Sequence, residues 1–112
     1  MSLAKSAVVL ISFPFTDGVS AKRRPALVMF NNGDNDLLLA RITTQANRTP
    51  YDCELRDWRA AGLKAASFVR LHKMATLEQR LVEGQLGVLT AADWQDVLRV
   101  WEDLCRAIQS SR

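Results

Sequence analysis

The chain has 112 residues, 48% hydrophobic and 24% charged, with a formal net charge of +3, which describes one folded domain over 1–112 and excludes a disordered or multidomain chain. No stretch approaches the roughly 18 apolar residues that a membrane helix needs. Two cysteines without C-x-x-C spacing and one histidine give no recognisable zinc site, so the expectation is a cytoplasmic protein with reduced cysteines, no metal and no cofactor.

Residues 7–13 (AVVLISF) are β-branched and apolar and predict a first strand. The preceding Lys5 gives the N-terminus a faint likeness to a signal peptide, but the apolar run meets Ser12 and Pro14 and ends without a small-residue cleavage site. PFTDGVSAK follows as a loop with Asp17-Gly18 as its tight turn. RPALVMF (24–30) is the second strand, opened by Pro25, whose missing N–H is least harmful at a strand start. NNGDN is the next turn, DLLLARITT (36–44) the third strand and YDCEL (51–55) the fourth. RDWRAAG predicts one or two helical turns stopped by Gly62, ASFVRLH (66–72) a fifth strand, and RLVEGQLGVL (80–89) a final strand bent at Gly84 or Gly87.

The period then changes. Thr90 is placed as an N-cap with Asp93 three residues on, a capping-box pattern with Asp in place of Glu. Trp94, Val97, Leu98, Trp101, Leu104 and Ile108 recur at helical spacing, so 90–112 is an amphipathic helix of about five turns that covers a sheet or barrel. Strands two and three are apolar on both faces (ALVMF, LLLA), which requires cover on both sides. The fold class expected is mainly β with a C-terminal helix, as a small antiparallel SH3-like barrel.

The basic excess sits early: residues 1–48 carry six Lys/Arg against three Asp. Lys22, Arg23 and Arg24 stand side by side before Pro25. Proline pushes the preceding residue into extended backbone, so Arg24 is held at the strand entry on the face of Ala26 and Val28, with Arg23 opposite and Lys22 at the loop end. Such a cluster suits phosphate binding; a solvated strand terminus is the plainer reading. In ARITTQ, Thr43 and Thr44 can donate hydroxyl hydrogen bonds to an anion, or serve only as strand formers. In FVRLHK, Arg70 and His72 share one strand face roughly 7 Å apart. Repulsion from Arg70 favours a neutral imidazole able to accept a proton, beside a cation able to stabilise a phosphorane; a structural histidine is the alternative. P-loop, G-x-S-x-G and H-E-x-x-H motifs are all lacking. Metal-free cleavage of a phosphodiester then points to RNA, whose 2′-OH serves as an internal nucleophile.

Taken together, FPFTDG, KRRPALV, ARITTQ and SFVRLHKMATLEQRLV, in that order, resemble the MazF/PemK (Kid-like) toxins of type II toxin–antitoxin systems, closest to the PemK-like branch, over about residues 7–100. The resemblance implies a homodimer of SH3-like barrels that acts as a metal-independent, sequence-specific endoribonuclease on single-stranded mRNA, leaving 2′,3′-cyclic phosphate and 5′-OH ends. It also implies a cognate antitoxin that covers the RNA surface, with operator DNA bound only through that antitoxin. By motif, Arg24 takes a transition-state or acid role, Thr43 binds the scissile phosphate and Arg70 is an acid or phosphate ligand. The 16–23 loop, with Thr16, Asp17, Lys22 and Arg23, helps to bind RNA, as do Thr44 and Gln45. Two departures stand out. His72 replaces the family's acidic residue and is assigned here as base by inference, and KSA (5–7) replaces the usual Gly-acid opening of strand one. The alternative is a catalytically weak or inactive member of the same fold that works by binding RNA, by autoregulation with an antitoxin, or by poisoning gyrase.

Overall fold

Three apolar strands build the centre of the molecule. In the computed structural model, which describes residues 3–14, 21–46 and 49–111 with 13, 14, 21 and 22 as backbone, these are β1 (Ala7–Pro14), β2 (Ala21–Asn31) and β3 (Asp36–Thr43). A short β4 (Asp52–Glu54), a long β5 (Phe68–Glu78) and β6 (Val82–Val88) complete one antiparallel sheet in the order β4-β5-β3-β2-β1-β6. A 20-residue helix, α1 (Ala91–Ser110), follows. The fold is mainly β with one C-terminal helix, and the sheet coils into a barrel-like shape without a ladder between β4 and β6 among the described residues. No helix among them is long and apolar enough to cross a membrane.

Both faces of the central strands are covered, as their two-sided apolarity requires. On one face Val8, Leu27, Ala40, Ile42, Val69 and Leu71 pack with Val97 of α1, and Trp94, Val100, Trp101 and Leu104 of the helix close over them. The tryptophans are therefore core. On the other face Val9, Ile11, Ala26, Val28, Leu37 and Leu39 form a second cluster, covered by Leu77, Leu81 and Val82 as the chain curls back. Each fully buried aliphatic side chain contributes roughly 1.5–3 kcal/mol. Ile108, expected on the buried stripe, is 62% exposed; the helical residues packed on the core run from Trp94 to Leu104.

Several boundaries differ from the sequence reading. β2 begins at Ala21 rather than Arg24, because its ladder to β1 continues through Ile11–Arg24, Ser12–Arg23 and Phe13–Lys22 to Pro14–Ala21. Lys22 and Arg23 thus belong to a strand and not to a loop end. β5 runs six residues beyond His72. It does so through a bulge: Arg70 pairs with Arg41 and Met74 with Ala40, leaving residues 71–73 opposite a single step of β3. An odd insertion exchanges the two faces. Val69 and Leu71 accordingly enter the first core, whereas Leu77 covers the second. The last strand splits into a 3-10 turn (Gln79–Leu81) and β6, whose ladder to β1 shifts register beside Gly84 and again beside Gly87. The predicted turn at Asp17-Gly18 lies outside the described residues.

RDWRAAG forms one turn and no helix. It closes as a Schellman motif: Leu63 N–H donates to Trp58 O (3.1 Å), Gly62 N–H donates to Arg59 O (3.0 Å), and Gly62 takes the left-handed conformation at φ 83°. Trp58 and Leu63 both join the first core. This segment lies directly on β6. A Cβ at Gly62 would stand 2.0 Å from Leu86 O, and one at Gly87 2.5 Å from Ala61 O. The backbone at 61–62 thus packs directly on the backbone at 86–87.

Thr90 caps α1, its hydroxyl accepting from Asp93 N–H (3.2 Å). The Asp93 side chain does not complete the box. Fully buried, it accepts instead from Arg56 N–H (3.0 Å) and Asp57 N–H (2.8 Å), tying the helix start to the turn. On the surface beside it Arg56 pairs with Asp96, and hydrogen bonds from Arg56 and Arg99 hold the Asp96 carboxyl below the usual carboxylate range. Asp93→Asn keeps one acceptor oxygen but sets an NH2 group against the second amide. It should destabilise the fold by about 2 kcal/mol in urea titration.

Both cysteines are unpaired thiols. Burial pushes the Cys53 thiol up to about 11, with Asp96 and Asp93 adding to the effect. The thiolate is the reactive form, so at pH 8 iodoacetamide should label half-buried Cys105 well before Cys53 in the native protein, as peptide mass mapping would show.

Candidate active site

Backbone register brings four charged or small residues into one row across the sheet. Ala26 of β2 pairs with Arg41 of β3, Arg41 with Arg70 of β5, and Arg70 with Asp52 of β4. Cross-strand partners share a face, and this is the face of the second core. Along β2 and β3 that face carries Ala26, Val28, Leu37 and Leu39 into the core. Alternation then places Arg24, Arg41 and Thr43 where the core ends. The result is an open cleft of about 320 Å3 lined by Arg24, Pro25, Arg41, Ile42, Thr43, Thr44, Gln45, Ser67 and Arg70.

The cleft is built for an anion. Three arginines line it, and of the three only Arg70 has a carboxylate at ion-pair distance among the described residues. Thr43 Oγ1 accepts from Gln45 N–H at 3.2 Å, which fixes the hydroxyl and leaves its own hydrogen to donate. Ser67, buried, donates to Ala65 O at 2.8 Å and braces the floor.

Behind Arg70 stands a carboxylate. The Asp52 side chain is only 2% exposed, with Oδ1 3.4 Å from Arg70 Nε and 3.9 Å from His72 Nδ1. Its Oδ2 accepts from Thr49 N–H at 3.3 Å. His72 lies on the β5 bulge with its side chain 29% exposed, and its ring meets Tyr51 edge-on, centroids 6.4 Å apart. Arg70 and His72 do share a face, as their spacing predicts. The repulsion argument from Arg70 alone is incomplete, however, because a buried counter-charge faces both groups.

Of the residues singled out in the sequence, the structure gathers Arg24, Thr43, Thr44, Gln45 and Arg70 in the cleft; His72 does not line it and is linked to Arg70 through Asp52, which lies 3.4 Å from Arg70 Nε and 3.9 Å from His72 Nδ1. Arg23 is elsewhere: its Nε lies 3.0 Å from Glu83 Oε1 of β6, beside Ser12, which also hydrogen-bonds Glu83. Thr16 and Asp17 and the Lys22 side chain lie outside the described residues. Two members were missed. Arg41 was legible from the Arg-Ile-Thr alternation, which sets it on the face of Thr43. Asp52 carried no signal, since its place depends on β4 pairing with β5.

Residues 4–104 match the family model described as "PemK-like, MazF-like toxin of type II toxin-antitoxin system". The chain belongs to this toxin family. No curated protein matches the sequence. Among solved structures, an endoribonuclease from a mycobacterial species is similar at TM-score 0.75 and 16% identity, covering 95% of this chain and 93% of that one. The MazE–MazF complex from Deinococcus radiodurans (Form III) gives 0.75 and 20%, covering 95% and 98%. The Mycobacterium tuberculosis toxin MazF-mt6 gives 0.74 and 17%, covering 89% and 96%. At these identities the likeness is one of fold, and it holds for the whole MazF-like domain, helix included.

Proposed function

We propose that this MazF/PemK-like toxin is a metal-independent, sequence-specific endoribonuclease on single-stranded mRNA. The carrying observation is the cleft lined by Arg24, Arg41, Arg70 and Thr43, with His72 two residues from Arg70 on β5 and facing the same carboxylate. Relatives of the same fold are endoribonucleases, one of them held in complex with its cognate antitoxin, which supports the reading.

The chemistry follows from the side chains. Thr43 and Arg70 bind the scissile phosphate and Arg24 stabilises the charge that develops on it. Guanidinium keeps its protons at any pH of interest, so the arginines act as electrostatic clamps. His72 takes the proton from the ribose 2′-OH, O2′ bonds to phosphorus, and the P–O5′ bond breaks. Water protonates the departing O5′, and the hydroxide so formed takes the imidazolium proton, leaving no net change in protons. The products are a 2′,3′-cyclic phosphate and a 5′-OH. Arg41, with Thr44 and Gln45, holds the adjoining backbone, and Thr16, Asp17, Lys22 and Arg23 add further contacts to the RNA outside the cleft. The active species is a cytoplasmic homodimer, restrained by an antitoxin that covers the cleft and alone contacts operator DNA.

The test uses purified protein in EDTA with a mixed-sequence single-stranded RNA. Cutting at a defined motif with cyclic-phosphate ends is expected, as is complete resistance when the scissile nucleotide is 2′-deoxy. Intact RNA from folded protein, or cutting of the deoxy substrate, overturns the reading. RNA bound but not cut would favour a binding-only member of the family.

A further inference from the structure

A buried carboxylate that faces both a guanidinium and an imidazole does more than balance charge. Asp52 comes from β4, Arg70 and His72 from β5, and one oxygen serves both, at 3.4 Å from Arg70 Nε and 3.9 Å from His72 Nδ1. The other oxygen is engaged by Thr49 N–H, so the carboxylate cannot rotate without losing a partner. His72 lies within the β5 bulge at 71–73, and its ring meets the Tyr51 ring edge-on at 6.4 Å between centroids. Among the described residues, the charged and titratable groups near the imidazole include Asp52 and Tyr51 from the β4 side and Arg70 on β5, with Arg41 paired to Arg70 from β3.

We infer that Asp52 is a positioning residue for RNA cleavage. It fixes His72 with Nδ1–H inward and the Nε2 lone pair outward, and holds Arg70 by Nε so that its two terminal nitrogens face the phosphate. The inference rests on the ribonuclease reading of the cleft, but its geometric half does not. At 3.9 Å the His72–Asp52 contact is longer than a hydrogen bond. Hydrogen bonds among catalytic groups are often long before substrate arrives and tighten in the complex. The arrangement reproduces the logic by which a carboxylate fixes the tautomer of a histidine base, here with the two residues on neighbouring strands.

His72 is the single histidine, so long-range 1H–15N NMR reads its tautomer without assignment ambiguity. Wild-type protein at pH 8 should show the Nδ1–H form. Asp52→Asn should shift the population toward Nε2–H, and should lower kcat about 100-fold with KM changed less than threefold. If wild type shows Nε2–H, or if Asp52→Asn leaves both tautomer and kcat unchanged, the inference is overturned. Should Asp52→Asn fail to fold, the wild-type tautomer decides alone. A protein that shows the Nδ1–H form, responds to Asp52→Asn and cuts no RNA would retain the Asp52–His72 pairing and defeat the ribonuclease reading instead.

Discussion

Arg24→Ala and Arg70→Ala should each lower the cleavage rate by about 10²- to 10³-fold, but only the second should lower the melting temperature. The rate effect is that expected for removing one fixed donor from a site where charge develops. The stability effects separate because the two arginines are held differently. Arg24 is exposed at its strand position, and its removal leaves the core intact. Arg70 has a side chain only 18% exposed and lies against a carboxylate that is 2% exposed. Truncating it withdraws a partner from a buried charge, which costs about 3 kcal/mol or more. The structure therefore makes Arg24 the cleaner probe of chemistry. Initial rates on a fluorogenic RNA, with thermal melts of the same preparations, check both halves. Wild-type rates in Arg24→Ala would remove it from the mechanism.

A stability loss as large as that at Arg70 is expected at Gly62. Gly62→Ala should cost at least about 3 kcal/mol, combining the strain of a left-handed alanine with a displacement of β6. For a domain of this size that lowers the melting temperature by roughly 12 °C or more. An internal control exists. Gly33 has the same φ of 83°, yet a Cβ there would meet nothing within 4 Å. Gly33→Ala should therefore cost only about 1 kcal/mol, the conformational part alone. The difference between the two melts measures the backbone contact between the 56–62 turn and β6. Equal losses would show that the contact contributes nothing.

The parts of the fold that were legible are those set by local pattern. The apolar runs 7–13 and 36–44, the N-cap at Thr90 and the helical spacing of Trp94, Val97 and Trp101 each depend on neighbours within a few residues. The extended backbone of Arg24 was legible for the same reason, since Pro25 imposes it. What was misread depends on distant strands. Arg23 continues a strand because β1 pairs with it as far as Pro14, and Glu83 receives it from β6. The second half of β5 was lost because the bulge at 71–73 breaks the alternation by which a strand is recognised. Asp52 was passed over as one polar residue in a short strand; its meaning arises from Arg70 and His72, 18 and 20 positions later. Asp93 has the spacing of a capping box, yet its side chain serves amides at 56 and 57 that no local rule brings near it.

The turn at 56–62 is gripped from two sides, by the Asp93 carboxylate at its start and by the β6 backbone at its end. The residues of that turn carry exposed side chains at Arg56, Asp57 and Arg59, and would pass for an ordinary surface loop. Their amide protons should behave otherwise. Arg56 and Asp57 N–H can exchange with deuterium only when the helix start lifts away, and the helix start cannot lift without uncovering Val97 and Trp94. Exchange at these two positions should therefore be as slow as at Val8 or Leu27 in the sheet centre, and should report the opening of the whole domain.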